Sequence, residues 1–270
     1  MQEIVSVCVV TFNNEKYIVE TLESIKNQTY REIELIVSDD NSSDNTVAKV
    51  SKWIESNKGR FVNVELVVSN KNTGVTANCN RAVKCAKGQF IKIIGDDLLK
   101  NDYLEICINF FNKNESAAVL CTEMDYFYPE EEFDFVQKPI DFSFFNLSAE
   151  EQRNYVRYKG IPQYPTPSII YRKRVFDKVG LFDESIPMWE DGPMYFKLAK
   201  NKIKVYMLNE KLVEYRLLKK SLSNDNDNID MKKNIALYNL KYVCPVQFSN
   251  NPLKSFFRYI KYFFIAKGLL

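Results

Sequence analysis

The sequence contains no histidine, and this absence excludes several kinds of chemistry. Serine–histidine triads, imidazole metal ligands and imidazole acid–base catalysis all need a residue that the chain does not have. Any proton transfer must therefore use Asp, Glu, Lys, Tyr or Cys. Among these residue types, we expect a carboxylate to be the base.

Other features are scarce as well. The six cysteines are scattered without a CxxC pair, and no signal peptide precedes Ile4, so we expect reduced thiols and a cytoplasmic protein. No apolar run reaches the roughly 18 residues that a membrane span needs. The net charge is only +2, and there is no broad Lys/Arg stripe, so we do not expect a nucleic-acid partner.

The pattern of apolar residues predicts an α/β protein with a largely parallel sheet. The 270 residues suffice for one large domain or two small ones. Over the first hundred residues, predicted strands alternate with predicted helices. The strands are 4–10, 34–38, 62–68 and 91–94, and the helices are 15–28, 46–55 and 77–86. Polar loops follow the strands, so they should gather at one edge of the sheet.

The second half of the sequence is less regular. It predicts helices at 103–113, 148–158, 174–179 and 194–200, and strands at 117–122, 168–171 and 204–208. Residues 126–167 are rich in Tyr and Phe, which suits either an acceptor-binding surface or the packing of an insertion. Residues 223–230 are polar and predict a loop, and the last 40 residues predict helices.

Two acidic pairs follow predicted strands. The apolar run Ile91–Ile94 ends in Asp96 and Asp97, and residues 34–38 lead into Asp39 and Asp40. Open α/β sheets bind ligands at such strand ends, and carboxylate oxygens suit Mg²⁺ or Mn²⁺ bound to a nucleotide. The alternative is that these residues only form turns and helix caps. Their spacing alone does not name a reaction.

A third acidic pair, Glu190 and Asp191, lies before Gly192 and Pro193. Asp191 resembles a helix N-cap with proline in the first turn. It is also a candidate general base, because the chain has no histidine. The two roles are compatible.

Taken together, five segments resemble family 2 glycosyltransferases of the GT-A fold. They occur in the order and spacing of that family and cover about residues 3–223. They are Val9-Val10-Thr11-Phe12-Asn13-Asn14, residues 36–44, Asn72-Thr73-Gly74 through Asn80 with Gly88 and Asp96-Asp97, residues 179–184, and Trp189-Glu190-Asp191. The resemblance implies a Rossmann-like three-layer α/β/α domain with a mostly parallel central sheet.

The resemblance also implies roles for individual residues. Thr11 and Phe12 would line the nucleotide base, Asp39 would accept a hydrogen bond from it, and Asp96 would lie near the ribose and donor. Asp97 would bind Mn²⁺ or Mg²⁺ as the last acid of the DXD-type motif. The remaining residues expected to bind the nucleotide-sugar are Asn13, Asn72, Gly74 and Asn80.

On the acceptor side, the resemblance makes Asp191 the base, with Glu190 beside it orienting the acceptor or donor. The reaction would invert the anomeric carbon without a covalent intermediate. We therefore expect an inverting, metal-dependent glycosyltransferase that uses a nucleotide-diphospho-sugar, most readily a UDP-sugar. A hexosyl or N-acetylhexosaminyl group would go to a glycan or lipid-linked saccharide in bacterial surface polysaccharide synthesis, such as O-antigen or capsule.

This sequence departs from the family pattern at three places. Gly95 leaves only the last two positions of the DXD-type motif, Leu218 stands where His is usual, and Cys79 precedes Asn80 where relatives often carry Arg. Lys219 or Lys220 is either a diphosphate contact or a solvated surface residue. With few protein ligands, the donor's phosphates should complete the metal shell, and metal should bind poorly without nucleotide.

A non-catalytic nucleotide-sugar or glycan-binding module is the alternative function, because the usual His is missing. A nucleotidyltransferase would need a Gly- and Arg-rich phosphate loop after the first strand, and Thr11-Phe12-Asn13-Asn14 is not one.

The expected organisation is one catalytic domain followed by a helical extension. The domain is 1–222, with a nucleotide-sugar half (1–100) and an acceptor and base half (101–222), and the extension is 223–270. Residues 253–270 hold four basic residues and no acid, with Phe256, Ile260, Phe263 and Phe264 on one helical face. This face suits the inner surface of an anionic membrane, the domain itself or a second subunit in a homodimer.

Overall fold

The computed structural model describes residues 3–131, 140–218, 229–247 and 252–268. In these residues, eight strands form one sheet in the order β3-β2-β1-β4-β7-β6-β8-β5. The strands are β1 (Val5–Thr11), β2 (Ile33–Asp39), β3 (Asn63–Val68), β4 (Phe90–Ile94), β5 (Leu98–Leu99), β6 (Val119–Phe127), β7 (Ile170–Arg172) and β8 (Val205–Arg216). Six strands point the same way, while β5 and β7 are antiparallel to their neighbours. The predicted mostly parallel α/β sheet is confirmed.

Eleven α-helices occur in the described residues. They are α1 (Ile18–Lys26), α2 (Thr46–Asn57), α3 (Val75–Cys85), α4 (Tyr103–Lys113), α5 (Phe142–Asn146), α6 (Ala149–Lys159), α7 (Arg174–Val179), α8 (Asp191–Lys200), α9 (Ile229–Tyr238), α10 (Cys244–Gln247) and α11 (Pro252–Ala266). Single 3-10 turns lie at Lys58–Arg60 and Thr166–Ser168, and a π-helical turn lies at Asn239–Val243.

Helices cover both faces of the sheet. Val5, Val7 and Val9 of β1 pack into one apolar cluster with side chains from α1, α2 and α4. Cys8 points to the other face and joins a second cluster with side chains from α3, α7 and α8. Because β1 is buried on both faces, it is apolar at nearly every position instead of alternating. This arrangement confirms the expected three-layer α/β/α domain.

Two predicted strands in the second half were too short. The sequence predicted 117–122 and 204–208, whereas β6 reaches Phe127 and β8 reaches Arg216. Their outer parts pair with each other in parallel after a register shift next to Glu123. The aromatic stretch that seemed irregular therefore begins inside β6, where Tyr126 packs on Tyr215 with ring centroids 5.6 Å apart. Local periodicity could not show this, because the pairing joins segments about 90 residues apart in the chain.

The C-terminal part is helical where it is described, as predicted. Within the described residues, no helix is long and apolar enough to cross a membrane. Most of the predicted polar loop at 223–230 lies outside the described residues, as do Lys219 and Lys220. The predicted boundary after residue 222 falls in the same gap, so it stays a prediction.

Candidate active site

The acids predicted to bind the donor lie at one edge of the sheet. Strands β2, β1 and β4 are adjacent and parallel, with Thr11 opposite Asp39 and Val9 opposite Ile94. Parallel strands present their carboxyl ends at the same edge, so the loops after all three strands meet there. The structure thus brings the segments at Thr11, Asp39 and Asp96 together, although they are far apart in the chain.

The loops after β1 and β2 are tied to each other by hydrogen bonds. The Asn13 amide donates to Ser42 Oγ at 2.8 Å, and Asn13 Oδ1 accepts from the Ser43 amide at 2.8 Å. The buried Asp39 carboxylate accepts from the Ser42 amide at 2.8 Å. Asn13 adopts a φ of 48°, which asparagine tolerates better than most residues. Asn13 and Asp39 therefore shape this loop pair through hydrogen bonds to Ser42 and Ser43.

Two neighbouring residues, Thr11 and Phe12, have features that packing within the fold does not explain. Phe12 is 46% exposed although it is a large apolar residue. Thr11 Oγ1 is, among the described residues, the buried side-chain polar atom that has no hydrogen-bond partner. Buried polar groups are nearly always satisfied in folded proteins, so each exception needs an explanation. An exposed aromatic ring beside an unpartnered hydroxyl is an arrangement that a ligand can complete.

Asp40 has a role that the sequence did not reveal. Its carboxylate accepts from the Thr73 amide at 2.8 Å and the Gly74 amide at 2.7 Å, and it pairs with Arg81 at 3.1 Å. The predicted site residue Asn72 also accepts from the Gly74 amide, at 3.1 Å. Asp40 therefore fixes the 72–74 turn against the end of β2. Arg81 supplies a cation to this edge from α3, whereas Cys79 is buried in the core.

The same turn contacts the segment that leads to Asp191. Gly74 has a φ of 89°, and a Cβ atom there would lie 2.8 Å from the Pro187 carbonyl oxygen. The Thr76 amide donates to that carbonyl at 3.1 Å, and Thr76 Oγ1 donates to the Ile186 carbonyl at 2.7 Å. Glycine is thus needed at 74 both for its conformation and for the close approach of the two loops.

Asn80 joins the same two parts of the chain. Its amide nitrogen donates to the Phe182 carbonyl at 3.0 Å and to Glu184 at 2.8 Å, while its oxygen accepts from the Phe182 amide at 2.9 Å. The side chain is only 2% exposed. A direct nucleotide contact was predicted for Asn80, but its hydrogen bonds go to residues 182–184.

Asp97 lies at the end of β4 beside Arg216, at the end of β8. Asp97 Oδ1 accepts from the Arg216 amide at 2.9 Å, and Arg216 Nε donates to the Asp96 carbonyl oxygen at 2.8 Å. The guanidinium also donates to Glu20 at 2.8 Å and lies over the Tyr17 ring at 4.3 Å. Sequence reasoning missed Arg216 as a site residue, although it belongs to the motif in which Leu218 replaces His.

Burial and charge strongly perturb this acidic pair. Burial, and then the charge of Asp96, raise the pKa of Asp97 to about 7, although the Arg216 amide, Lys92 and the Arg216 charge lower it. Burial also raises the pKa of Asp96, and the Arg216 charge lowers it. Crowded carboxylates of this kind are stabilised in their ionised form by added positive charge.

The residues present fit a divalent cation, though only sparsely. Asp96 and Asp97 offer the hard oxygen donors that Mg²⁺ and Mn²⁺ prefer, and a bound cation would offset the burial that raises the pKa of both carboxyl groups. Across the described ranges, no group of three or more His, Cys, Asp or Glu side chains is placed to hold a metal. Leu218 cannot ligate a metal. A metal ion bound here would therefore need further oxygen atoms from a bound substrate to complete its coordination.

Glu190 and Asp191 lie where α8 begins. Asp191 was expected to be the N-cap, but it is the first helical residue, and Glu190 occupies the N-cap position. Asp191 Oδ1 accepts from the Gly192 amide at 2.6 Å, and Asp191 Oδ2 accepts from Thr166 Oγ1 at 2.8 Å. Both acidic residues remain partly accessible at the surface. No sequence pattern pointed to Thr166, which is 25 residues away from Asp191 in the chain.

The two acids differ in what stabilises their charge. Burial, and then the charge of Asp191, raise the pKa of Glu190 to about 8. Burial also raises the pKa of Asp191, but hydrogen bonds from Thr166, Gly192 and Trp189 lower it. We therefore expect Asp191 to ionise first and Glu190 to keep its proton near neutral pH.

A cavity of about 690 Å³ lies elsewhere, lined by residues that include Glu3, Tyr30 and Arg172. Glu3 precedes β1, so this cavity is at the opposite edge of the sheet from the acids. Arg172 donates to the carbonyl oxygens of Ala117 and Phe111 at 3.0 Å each. The cavity holds none of the predicted site residues, and the open edge at Asp97 and Asp191 is the better candidate.

Comparisons with known proteins agree with this assignment of the fold. The sequence model of Glycosyl transferase family 2 matches residues 6–180. A curated relative, Glycosyltransferase GlyG of Streptococcus pneumoniae, is 27% identical over 249 residues, which are 87% of this chain and 78% of the relative.

Solved structures show the same fold at lower identity. S. aureus TarS 1–349 in complex with UDP-GlcNAc superposes with a TM-score of 0.67 at 21% identity, covering 96% of this chain and 79% of TarS 1–349. The mannosyltransferase PcManGT from Pyrobaculum calidifontis, in complex with GDP-Man and Mn²⁺, has a TM-score of 0.63 at 17% identity, covering 90% of this chain and 63% of that one. The chain spans between 40% and 79% of the TarS chains that it matches.

Proposed function

The chain belongs to glycosyl transferase family 2, and from that premise we propose that it is an inverting enzyme that moves a sugar from a nucleotide-diphospho-sugar to a saccharide acceptor. The observation that carries the proposal is the contact between the donor loops and the segment that leads to Asp191. The turn at Gly74, which Asp40 fixes to the end of β2, contacts Ile186 and Pro187 shortly before Asp191. A donor bound at the edge formed by β2, β1 and β4 would then lie near the acid that acts on the acceptor.

Asp191 is the general base in this proposal. Its burial raises its pKa towards the pH at which a base works best, and its hydrogen bonds keep it ionised. It removes the proton of the acceptor hydroxyl as that oxygen attacks the anomeric carbon. Glu190, which keeps its proton, donates a hydrogen bond to the acceptor or the donor sugar. Pairs of carboxyl groups whose environments separate their pKa values commonly divide the work in this way.

The donor lies along the sheet edge in this proposal. The exposed Phe12 ring and Thr11 beside it line the nucleotide base, and Asp39 accepts a hydrogen bond from the base. Asp96 lies towards the ribose. We favour a UDP-sugar, which the UDP-GlcNAc complex of TarS supports, and the GDP-Man complex of the mannosyltransferase makes guanosine donors the main competitor.

Asp97 holds the divalent cation, Mn²⁺ or Mg²⁺, in this proposal, and the donor's phosphates provide further ligands. Such an ion supplies Lewis-acid stabilisation of the charge on the departing diphosphate. The role of Arg216 is to offset the charge of the acidic pair from the protein side. The Mn²⁺ in the mannosyltransferase complex supports metal dependence.

The acceptor is a glycan or lipid-linked saccharide of a bacterial surface polysaccharide in this proposal, bound by the 101–222 half. A lipid-linked acceptor requires contact with the inner face of the membrane, and α11 offers a suitable surface. Phe256, Phe257, Phe263 and Phe264 are 51%, 65%, 42% and 39% exposed, so these four rings are accessible to a partner. This exposure favours the membrane over the domain, and a second subunit is the competing partner.

A thermal-shift screen tests the proposed donor class. UDP-, GDP- and dTDP-sugars are each added with Mn²⁺, with Mg²⁺ and with a chelator, because a ligand that binds only the folded state raises the melting temperature. We expect one nucleotide class to stabilise the protein with metal and much less without it. No shift with any donor would contradict the proposal.

The best donor from the screen is then incubated with the protein to follow release of the free sugar or its transfer. Turnover supports the enzyme. Tight nucleotide binding with no turnover under any condition would favour the non-catalytic binding module.

A further inference from the structure

Thr166 lies between Asp191 and a buried tyrosine. Its hydroxyl is 2.8 Å from Asp191 Oδ2 and 2.8 Å from the Tyr195 hydroxyl. A threonine hydroxyl has one proton, and a carboxylate can only accept. If Thr166 donates to Asp191, Tyr195 must donate to Thr166. The order of donation therefore runs from Tyr195 to Thr166 to Asp191.

The turn that carries Thr166 is fixed to the sheet by its neighbours. The Tyr103 hydroxyl donates to the Ser168 carbonyl at 2.7 Å, and Ser168 Oγ donates to the Thr122 carbonyl at 2.7 Å. The buried Lys92 ammonium, which comes from β4, donates to the Pro167 carbonyl. Since Pro167 and Ser168, the two residues after Thr166, are anchored, the core sets the position of the Thr166 hydroxyl.

The tyrosine at the other end is fixed as well. Tyr195 is 3% exposed, and its ring stacks on Tyr164 with centroids 3.7 Å apart and planes within 13°. A stacked, buried ring has little freedom to turn its hydroxyl away from Thr166. The Thr166 hydroxyl, held in place by Tyr195, thus donates to one carboxylate oxygen of Asp191. The Gly192 amide donates to the other oxygen at 2.6 Å.

We infer that Thr166 is a positioning residue for the reaction, whose hydroxyl, held by Tyr195 and by the anchored 165–169 turn, fixes the orientation of the Asp191 carboxylate. This inference rests on the proposed role of Asp191 as the base. A base must face the proton that it removes, so a donor that locks one oxygen leaves a defined lone pair for the acceptor.

The hydrogen bond from Thr166 should affect the pKa of Asp191, given the charged and titratable groups around this carboxylate. Among the described residues, titratable groups that interact electrostatically with Asp191 come from α3, β7, α8 and α9 and from the residue before it. They include Cys79, Tyr171, Tyr195, Tyr238 and Glu190, none of which carries a positive charge. The ionised form of Asp191 is stabilised by the hydrogen bonds that it receives from Thr166, Gly192 and Trp189. Removing Thr166 should raise the pKa of Asp191.

Thr166→Val and Thr166→Ser form a matched pair. Valine keeps the shape of threonine but removes the hydroxyl, whereas serine keeps the hydroxyl. The first measurement is a ¹³C NMR titration of the labelled Asp191 carboxyl group, assigned with Asp191→Asn. We expect Thr166→Val to raise its pKa by about one unit, in line with the loss of one charge-assisted hydrogen bond, and Thr166→Ser to leave it near the wild-type value.

The second measurement is the pH dependence of kcat/KM with the donor selected by the thermal screen. The acidic limb of the Thr166→Val profile should move to higher pH by the same amount, and kcat should fall about tenfold with little change in the donor KM. Tyr195→Phe should produce a smaller shift in the same direction, because Thr166 can still donate. Thermal melts confirm that each variant is folded.

Two results would overturn the inference. One is an unchanged Asp191 pKa in Thr166→Val, and the other is an equal effect in Thr166→Ser, which would make the change steric. The proposed function itself would be contradicted by a different result, namely sugar transfer by Asp191→Asn at the wild-type rate. The NMR titration needs no turnover, so the two failures can be told apart.

Discussion

Asp97 is the residue of the donor half that we propose to bind the divalent cation. It is nearly buried, and both its burial and the charge of Asp96 raise its pKa. We expect Asp97→Asn to weaken Mn²⁺-dependent nucleotide binding by at least about tenfold, the scale of losing one charged contact. Isothermal titration with and without metal measures this effect.

Asp125→Asn is the matched control for that variant. Asp125 is an acid of β6 that pairs with Lys100 and Lys211 at the surface. Its replacement should leave nucleotide binding unchanged. If Asp97→Asn binds nucleotide with wild-type affinity and wild-type metal dependence, Asp97 is not the metal ligand.

Glu190 should make stability depend on pH. Burial and the charge of Asp191 raise its pKa from 4.5 to about 8 in the folded protein. Between these values the folded protein binds a proton that the unfolded chain releases, so the contribution of Glu190 to stability falls as the pH rises from about 4.5 to about 8. Glu190→Gln stays neutral at every pH and should lose less stability over this interval.

Melting temperatures at pH 5 and pH 8 test this expectation. The wild type should lose more stability than Glu190→Gln between the two values, by roughly 2–4 °C for each kcal/mol of difference. Glu210→Gln, at an exposed position, should behave like the wild type. Parallel losses in the wild type and Glu190→Gln would show that Glu190 is not perturbed.

At the level of elements, the turn at Gly74 connects the donor loops to the segment before Asp191. Gly74→Ala would place a Cβ atom 2.8 Å from the Pro187 carbonyl oxygen, at a φ of 89°. We expect a loss of about 1–3 kcal/mol in the free energy of unfolding, together with a lower kcat because the 186–191 segment moves. Chemical denaturation and steady-state kinetics measure the two effects.

Gly59→Ala is the control for this substitution, because nothing lies within 4 Å of a Cβ atom there. It should leave both stability and kcat close to the wild type. A stable Gly74→Ala variant with full activity would mean that the contact between the two loops is dispensable.

The exposed phenylalanines of α11 lead to a separate prediction about membrane binding. Phe256→Ser combined with Phe263→Ser should abolish binding to vesicles containing anionic lipid while leaving the melting temperature nearly unchanged, because both rings are exposed. Cosedimentation with phosphatidylglycerol and phosphatidylcholine vesicles measures this. Val68→Ser, an exposed apolar residue on β3, is the control.

If the wild type shows no vesicle binding, the membrane proposal is wrong. A wild-type dimer that dissociates in the Phe256→Ser and Phe263→Ser variant would identify a second subunit as the partner of α11.

Most elements in the first hundred residues were predictable because their signals are local, whereas the two-residue strand β5 was not predicted. The runs in β1, β2 and β4 are mostly apolar, and polar residues follow shortly after each of them. The outer parts of β6 and β8 were not predictable, because charged and aromatic residues there are stabilised by each other across the sheet. The sequence placed the N-cap of α8 at Asp191 and its helical residues from 194, whereas the helix begins at Asp191 and Glu190 is its N-cap.

Across the whole molecule, the sequence indicated which loops would meet but not what holds them. The parallel order of β2, β1 and β4 brings the predicted donor residues to one edge, as the alternation of strands and helices implied. The connections made by Asp40, Asn80 and Thr166 join residues 25 to more than 100 positions apart, and no local pattern encodes them. Long-range hydrogen bonds of this kind can be identified only from the folded structure.

The C-terminal helices also support the segment that carries the proposed base. The Met188 amide donates to Asn234 Oδ1 of α9 at 3.0 Å, and Trp189 packs on Tyr238 with ring centroids 4.6 Å apart. The Tyr242 hydroxyl donates to Asp183 at 2.5 Å. The family sequence match ends at residue 180, so the proposed base and these supports from the C-terminal helices lie beyond it.

The most direct test of the central claim compares nucleotide binding and sugar transfer in Asp191→Asn. The substitution keeps the size of the side chain and one of its two hydrogen-bond acceptors but removes its ability to take a proton. With the donor and metal selected by the thermal screen, we predict that nucleotide affinity stays within about threefold of the wild type while turnover falls by about 10²–10⁴, the usual contribution of a general base. Wild-type turnover in Asp191→Asn, or an equal loss of binding and turnover, would contradict the account.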